Sequence, residues 1–156
     1  MNKKNIRRIV ILLQLFLIAA LFLPAGNIMG SGQSGNSSIS VFGMIDRYAG
    51  MGFSDDARFY MVLACAFPIA IILSSLFIKE RKNYGTAITL SALYATASAC
   101  FFSAARIKMV DYATLTRLPY LIVIISIISL MLLILCFFYA MPNKQGKENK
   151  KPGHIS

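Results

Sequence analysis

The sequence predicts an all-α integral membrane protein, a bundle of four transmembrane helices with both termini in the cytoplasm. Three observations carry this prediction: four long apolar runs, a composition that is 57% hydrophobic but only 14% charged, and an uneven distribution of basic residues. Soluble domains are about half apolar and about a quarter charged. This chain therefore has too little polar surface to cover a soluble globule.

The four predicted spans cover about residues 6–25, 59–78, 84–105 and 118–140. The last three contain 20, 22 and 23 residues without an acidic or basic side chain. About 20 residues are needed to cross about 30 Å of hydrocarbon. Length and composition together predict that these three segments are membrane-spanning helices.

The first span is shorter than the others. Its apolar run, residues 9–23, contains Gln14 and would cover about 22 Å at 1.5 Å per residue. The helix reaches full length either by starting near Ile6, with two arginines extending to the membrane surface, or by continuing through Pro24. Both extensions are compatible with the sequence.

A cleaved signal peptide is the alternative for this segment, because a basic start followed by a short apolar run also describes a secretory signal. Cleavage sites ending at Ala20 or Ala25 would have Ile18 or Leu23 at the −3 position, where small residues are preferred. A retained helix is therefore favoured. Cleavage would leave three spans with the same orientation for the rest of the chain.

The orientation follows from the Lys and Arg residues, which accumulate on the cytoplasmic side of membrane proteins. With the N-terminus inside, the cytoplasmic segments hold eleven basic residues: Lys3, Lys4, Arg7, Arg8, Lys79, Arg81, Lys82, Lys144, Lys147, Lys150 and Lys151. The external segments hold five: Arg47, Arg58, Arg106, Lys108 and Arg117. This bias predicts cytoplasmic N- and C-termini.

The predicted connections are external loops 26–58 and 106–117, the cytoplasmic loop 79–83, and a basic, disordered cytoplasmic tail, 142–156. The first external loop holds seven of the ten glycines. Its residues 38–42 alternate polar and apolar side chains, which indicates a short β-strand or hairpin. The whole chain is predicted to form a single membrane domain.

The start of the second span carries a helix N-terminal signal. Ser54, Asp55 and Asp56 precede the apolar run, and Ser or Asp at an N-cap satisfies backbone amides that lack partners. Acidic groups are also favoured at the positive end of a helix. We expect these two acids to start a helix rather than to act as a catalytic pair.

The third span is predicted to be the central packing helix of the bundle. Small residues recur along it every fourth position, whereas Leu90, Leu93, Tyr94 and Phe101 collect on its other side. Small residues let helix backbones approach closely. A polar-lined path or a homodimer face is the alternative interpretation. The predicted helix-packing face consists of Ala87, Ser91, Ala95, Ala99 and Ser103, with Ala92 and Thr96 beside them.

Two further residues within the spans, Pro68 and Gln14, are candidates for a structural or functional role. Pro68 removes one helical hydrogen bond and is predicted to kink the second span. Gln14 is polar within the first span, where a hydrogen bond between helices explains it and a substrate contact is the alternative.

Several classes of function find no support in the sequence. Proton-coupled transporters normally need a titratable side chain at membrane depth, and the apolar cores have none. The single histidine, His154, lies in the tail, so no catalytic triad or histidine metal cluster can be assembled. No catalytic, cofactor-binding or metal-binding residue is predicted. The external acids are expected to pair with neighbouring arginines; they are Asp46, Asp55, Asp56 and Asp111.

The sequence therefore favours a multi-pass protein of the cell membrane that acts as a non-enzymatic scaffold or accessory subunit. A passive pore or small transporter, including a holin-like lysis protein, is the alternative, and a membrane enzyme comes third. The expected partners are the lipid bilayer, anionic lipid at the basic tail, and a second copy or another membrane protein. Nucleic acid is not expected, because the basic clusters flank apolar runs.

The loop layout, with a long glycine-rich first external loop and a short second one, resembles that of claudin-like four-span proteins. The chain lacks the Trp and Cys signature of their first loop, since it contains no Trp and its cysteines lie at positions 65, 100 and 136. Topology alone does not carry function from one protein to another. The resemblance therefore assigns neither a family nor an activity.

Overall fold

The computed structural model describes residues 3–28, 37–77 and 81–139. This part of the chain is 80% helical and also contains a small three-stranded sheet. The predicted tail, 142–156, lies outside the described residues. In chain order the elements are α1 (Lys3–Ala20), β1 (Pro24–Ile28), β2 (Ser37–Ser40), α2 (Val41–Gly50), α3 (Ser54–Leu76), α4 (Arg81–Lys108), β3 (Ala113–Leu115) and α5 (Leu118–Tyr139).

Three described helices are long and apolar enough to cross a membrane: Ser54–Leu76, Tyr84–Lys108 and Leu118–Tyr139. They correspond to the second, third and fourth predicted spans. Helix α3 begins before the predicted boundary at 59, and α4 ends after the predicted boundary at 105. The prediction stopped at charged residues that both helices include. Helix α1 has 18 residues, four of them basic and all within its first six positions.

The four long helices form a bundle in which α1 and α4 lie diagonally opposite. Helix α4 packs against α3 and α5, and α1 packs against the same two helices from the other side. Buried side chains fill the interior in layers. At one end Ile6, Tyr84 and Cys136 pack together, followed by a layer that includes Val10 and Leu133. Helix α1 thus contacts the bundle from its first turns onward.

A three-stranded antiparallel sheet covers the opposite end, which we call the sheet end. The strand order is β2-β1-β3, so a hairpin within the first predicted loop pairs with a strand from the second. The predicted strand or hairpin in loop 26–58 is confirmed. Gly26 lies in the central strand, where a Cβ atom would come 3.0 Å from the Thr114 carbonyl oxygen. The close approach of these two strands therefore favours glycine.

Helix α2 follows β2 directly and was not predicted. The Ser40 hydroxyl accepts a hydrogen bond of 3.2 Å from the Gly43 amide, which caps the helix. The strand predicted for 38–42 therefore ends at Ser40. The buried side chains of α2 follow the 3, 4 and 7 spacing of an amphipathic helix; they are Val41, Met44, Ile45 and Tyr48.

The N-terminus of α3 differs in detail from the prediction. The helix starts at Ser54 and has Asp55 and Asp56 in its first turn, but the N-cap is Phe53, which makes no side-chain capping bond. Gly52, with φ of +96°, turns the chain between α2 and α3. The Phe53 ring instead stacks on Tyr48 at 4.9 Å between centroids.

Helix α1 ends earlier than predicted, at Ala20 instead of about residue 25. The chain turns at Leu21 to Leu23 and enters β1 at Pro24. Proline lacks the amide that a helix needs and disfavours helical backbone in the residue before it. The prediction that the first helix continues through Pro24 is therefore wrong. The additional helical residues lie at its N-terminal end instead.

Candidate functional site

An aromatic cluster joins α2, α3 and α4 at the sheet end. Phe101 lies at its centre and stacks on Tyr60 with 4.1 Å between centroids and 4° between ring planes. Tyr48 and Phe102 make edge-to-face contacts with Phe101, with 5.4 and 5.5 Å between ring centroids. Offset-stacked and edge-to-face pairs contribute about 0.5–1.5 kcal/mol each beyond the area they bury. The cluster therefore fixes α2 to the bundle.

A cation extends this cluster. The Lys108 ammonium lies 3.6 Å from the Phe53 ring centroid and 5.5 Å from that of Tyr48. Both distances fall within the range of about 6 Å for cation–π attraction. Lys108 is the last residue of α4 and is exposed. A positive charge is therefore held at the rim of the aromatic cluster.

Beside the cluster lies a cavity of about 260 Å³, which we call the lateral pocket. It opens on the outer surface of the bundle between α3 and α4. Asp56 is its charged wall residue, and the rest of the wall is aromatic or small. The lining residues are Tyr48, Asp56, Phe59, Tyr60, Ala97, Cys100, Phe101 and Ala104.

The small residues predicted to form one packing face of α4 are split by the structure. Ala87, Ser91 and Ala95 are buried in the bundle, whereas Ala92 and Ala99 are half-buried and Thr96 and Ser103 are exposed. A helix turns about 100° per residue, so each four-residue step advances about 40° beyond a full turn. The row from Ala87 to Ser103 therefore winds out of the core.

The inward side of α4 combines small and large side chains. Tyr94 and Phe101, expected on the side away from the packing face, are buried at 1% and 6% exposure. They point toward the bundle because they lie about half a turn from the exposed Thr96. The core side of this helix is therefore wider than the small-residue rows indicate.

Five residues with small side chains line up on the outward side of α4, and we call them the α4 ridge. The Thr89 and Thr96 hydroxyls donate hydrogen bonds to the Gly85 and Ala92 carbonyls, at 3.1 and 2.9 Å. Their polar groups are satisfied within the helix, so the ridge is smooth and low. Its members are Gly85, Thr89, Ala92, Thr96 and Ser103.

A hollow borders the ridge on each side near the sheet end. The lateral pocket lies toward α3. A second cavity, of about 230 Å³, lies toward α5 and has Ala99, Ser103 and Arg106 in its wall. Tyr120 and Ile124 of α5 form its far side. The small side chains of α4 thus leave the α4 ridge low, with a hollow between it and each of the neighbouring helices α3 and α5.

Polar side chains are also buried inside the bundle. The Gln14 amide donates a 2.7 Å hydrogen bond to the Ser129 hydroxyl, which joins α1 to α5. The Tyr60 hydroxyl donates to Ser98 at 3.4 Å, which joins α3 to α4. Three buried polar atoms have no hydrogen-bond partner among the described residues: Gln14 Oε1, Ser75 Oγ and Tyr94 Oη.

Pro68 is buried near the middle of α3, and the helix continues past it from Ser54 to Leu76. The missing proline amide removes one bond of the helical ladder at this point. The kink expected here stays a prediction. In α5, the Ser126 hydroxyl donates to the Ile122 carbonyl at 2.7 Å, so this buried group is satisfied within its own helix.

Side chains that commonly bind metal ions do not cluster in the described segments. No cluster of three or more His, Cys, Asp or Glu side chains occurs in these segments. Cys65 and Cys100 are free thiols on neighbouring helices. The arrangement of the described residues is suited to packing and to apolar contacts.

The lateral pocket was missed by sequence reasoning. Its aromatic wall combines Tyr48 and Tyr60, from the consecutive helices α2 and α3, with Phe101 of α4, which lies much further along the chain. No local sequence pattern indicates that these rings meet. One signal was available: Tyr48 belongs to an amphipathic run that starts at Val41, and such a run predicts a short helix with a buried face.

Comparisons with known proteins identify no relative of this chain: no family model matches, and neither a curated protein nor a solved structure is similar to it.

Proposed function

We propose that this chain is a four-span protein of the cell membrane, with cytoplasmic termini, that serves as a non-enzymatic scaffold or accessory subunit. Its partner would be another membrane protein or a second copy of itself. The observation that carries the proposal is the α4 ridge with its flanking hollows. Helices associate in lipid through close packing of small residues, and the ridge offers such a surface outside the bundle.

The contacts of α1 support the fourth span. This helix packs against α3 and α5 and contributes to buried layers at both ends of the bundle, through Ile6 and Leu17. Its outward side is apolar, with Leu12 64% exposed and Leu15 50% exposed. Apolar side chains on this outward side are favourable in contact with lipid and unfavourable in contact with water.

The sheet supports the proposed crossing pattern. Strands β1 and β3 pair, so the two predicted external loops meet at one end of the bundle. Two helices long enough to cross a membrane, α3 and α4, lie between these strands in the chain, and two crossings return a chain to the side on which it started. The basic-residue bias then favours an external sheet end.

Thr96→Leu is expected to weaken partner binding about tenfold or more, because a bulky side chain on the ridge blocks close approach; tenfold corresponds to about 1.4 kcal/mol. The fold should survive, since Thr96 is exposed. The measurement is the amount of each protein that co-purifies from native membranes in mild detergent, together with the oligomeric state from light scattering.

The matched control is Ala66→Leu, which enlarges an exposed residue of α3 and should leave binding unchanged. If Thr96→Leu retains the same partners in the same amounts and the same oligomeric state as the unmodified protein, the ridge is not the binding surface. Equal losses in both variants would also contradict the proposal, because they would indicate a general effect of bulk.

A passive pore is the second candidate, favoured by the three buried polar atoms that lack partners among the described residues. Buried polar groups are normally hydrogen-bonded, and a water path would satisfy them. For a scaffold we expect dye and ion flux in reconstituted vesicles to equal that of protein-free vesicles. Flux that Gln14→Leu abolishes would support the pore and contradict the scaffold.

A further inference from the structure

The surface in and around the lateral pocket changes in chemistry from the sheet end toward the middle of the helices. Asp56 is the third residue of α3 and Lys108 the last of α4, so both charges lie at the sheet end of the helices. From Ala104 to Ala97 the α4 wall is apolar and about 10 Å long at 1.5 Å per residue. From Lys108, one turn beyond the pocket wall, to Ala97, the surface of α4 therefore passes from charged to apolar, as a membrane lipid does.

We propose that the lateral pocket binds one phospholipid whose headgroup carries a phosphate and a primary amine, the phosphoethanolamine class. The phosphate contacts Lys108, the ammonium contacts Asp56, and part of an acyl chain lies along Ala97, Cys100 and Ala104. This inference rests on the membrane location in the proposed function, but it does not depend on the ridge or its partner.

The two charges select the headgroup. A primary ammonium has three N–H donors and a carboxylate only accepts, so the amine of phosphoethanolamine can donate directly to Asp56. The quaternary amine of phosphocholine has no N–H to donate. A phosphoglycerol headgroup carries no cation, and it would leave the carboxylate beside a negative phosphate. Specificity thus comes from one attractive and one repulsive contact.

Lys108 is positioned for the phosphate. Its ammonium lies above Phe53, 3.6 Å from the ring centroid, and 5.5 Å from the centroid of Tyr48, which lines the pocket. Lys108 is not itself a wall residue, but its ammonium is held beside Tyr48 and one helical turn beyond Ala104, both of which line the pocket, and lysine binds phosphate as a compact point charge. The headgroup therefore meets a cation whose position the aromatic cluster fixes.

The size of the pocket agrees with a lipid that is only partly enclosed. Small-molecule sites usually occupy about 300–1,000 Å³ and bury most of their ligand, whereas this cavity measures about 260 Å³. Phe59, which lines it, is 66% exposed. The pocket is therefore suited to one segment of an acyl chain, and the rest of the lipid remains in the bilayer.

The test is native mass spectrometry of the full chain in mild detergent, titrated separately with phosphatidylethanolamine, phosphatidylcholine and phosphatidylglycerol of identical acyl chains. We expect one phosphatidylethanolamine molecule to bind with an affinity at least about fivefold higher than that of phosphatidylcholine or phosphatidylglycerol. Asp56→Asn should remove this preference. Asp55→Asn, in the same first turn of α3 but outside the pocket, should retain it.

A second pair of variants tests the acyl-chain wall. Cys100→Phe fills the pocket and should reduce binding of all three lipids, whereas Leu93→Phe enlarges an exposed residue of α4 outside it and should not. Unchanged selectivity in Asp56→Asn, or tighter binding of phosphatidylglycerol, would overturn the proposal. So would undiminished lipid binding by a folded Cys100→Phe protein.

Failure of this inference can be told apart from failure of the proposed function. A protein that fractionates with membranes but shows no headgroup preference contradicts the lipid site alone. A protein that washes off membranes contradicts the membrane location itself. Thr96→Leu, which lies on the ridge and not in the pocket wall, should keep its lipid preference even if it loses its partner.

Discussion

Phe101→Ala is expected to lower the free energy of unfolding by about 3 kcal/mol, the lower end of the usual range for a buried Phe replaced by Ala. Phe101 is 6% exposed and contacts three other aromatic rings at 4.1–5.5 Å. Its removal opens a cavity where α2, α3 and α4 meet. We expect the sheet end to loosen first, because α2 is held to the bundle partly through Tyr48.

The measurement is unfolding in mild detergent with increasing denaturing detergent, followed by circular dichroism. Phe138→Ala is the matched control: Phe138 is 59% exposed near the end of α5 and should change the midpoint little. Equal midpoints for the two variants would show that the aromatic cluster does not hold the sheet end to the bundle.

The sequence predicted α3, α4 and α5 because a long uncharged run has few structural alternatives. A segment such as 118–140 contains more than enough apolar residues to cross a bilayer. Its length and type therefore follow from composition. The boundaries are less accurate, because a charge beside an apolar run predicts a loop, whereas Arg81 and Lys108 both belong to α4.

The sheet end was harder to predict because its order depends on contacts between distant residues. Gly26 pairs with Ile39 on one side and Leu115 on the other, and the pairing of Leu115 joins segments almost ninety positions apart. No local pattern encodes such a pairing. The three residues of β3 are too few to be recognised by alternation, which needs about four to eight.

Helix α2 and the α4 ridge could have been predicted more accurately from the sequence. Glycine-rich surroundings obscured α2, yet Val41, Met44 and Tyr48 follow helical spacing. On α4, residues four apart do not share a single face over the length of the helix, because each step rotates the position by about 40°. That rotation carries Ser103 out to the surface and leaves Phe101 inside.

The predicted topology can be tested at the N-terminus, because the first helix is either retained or cleaved. An epitope tag placed before Met1 is expected to stay on the full-length protein and to remain inaccessible from outside intact cells. Reporter fusions after Lys82 and at the C-terminus should report the cytoplasm. Fusions after Arg58 and Arg117 should report the exterior.

The packing of α1 is the physical reason to expect the tag to remain. Cleavage after Ala20 would strip Leu17 from the core at the sheet end, Val10 from the middle layer and Ile6 from the opposite end. It would also remove the Gln14 partner of the buried Ser129 hydroxyl. Three helices would then expose a groove shaped for a fourth. Loss of the tag with a matching loss of mass would establish cleavage and a three-span protein, and an external C-terminus would overturn the four-span arrangement.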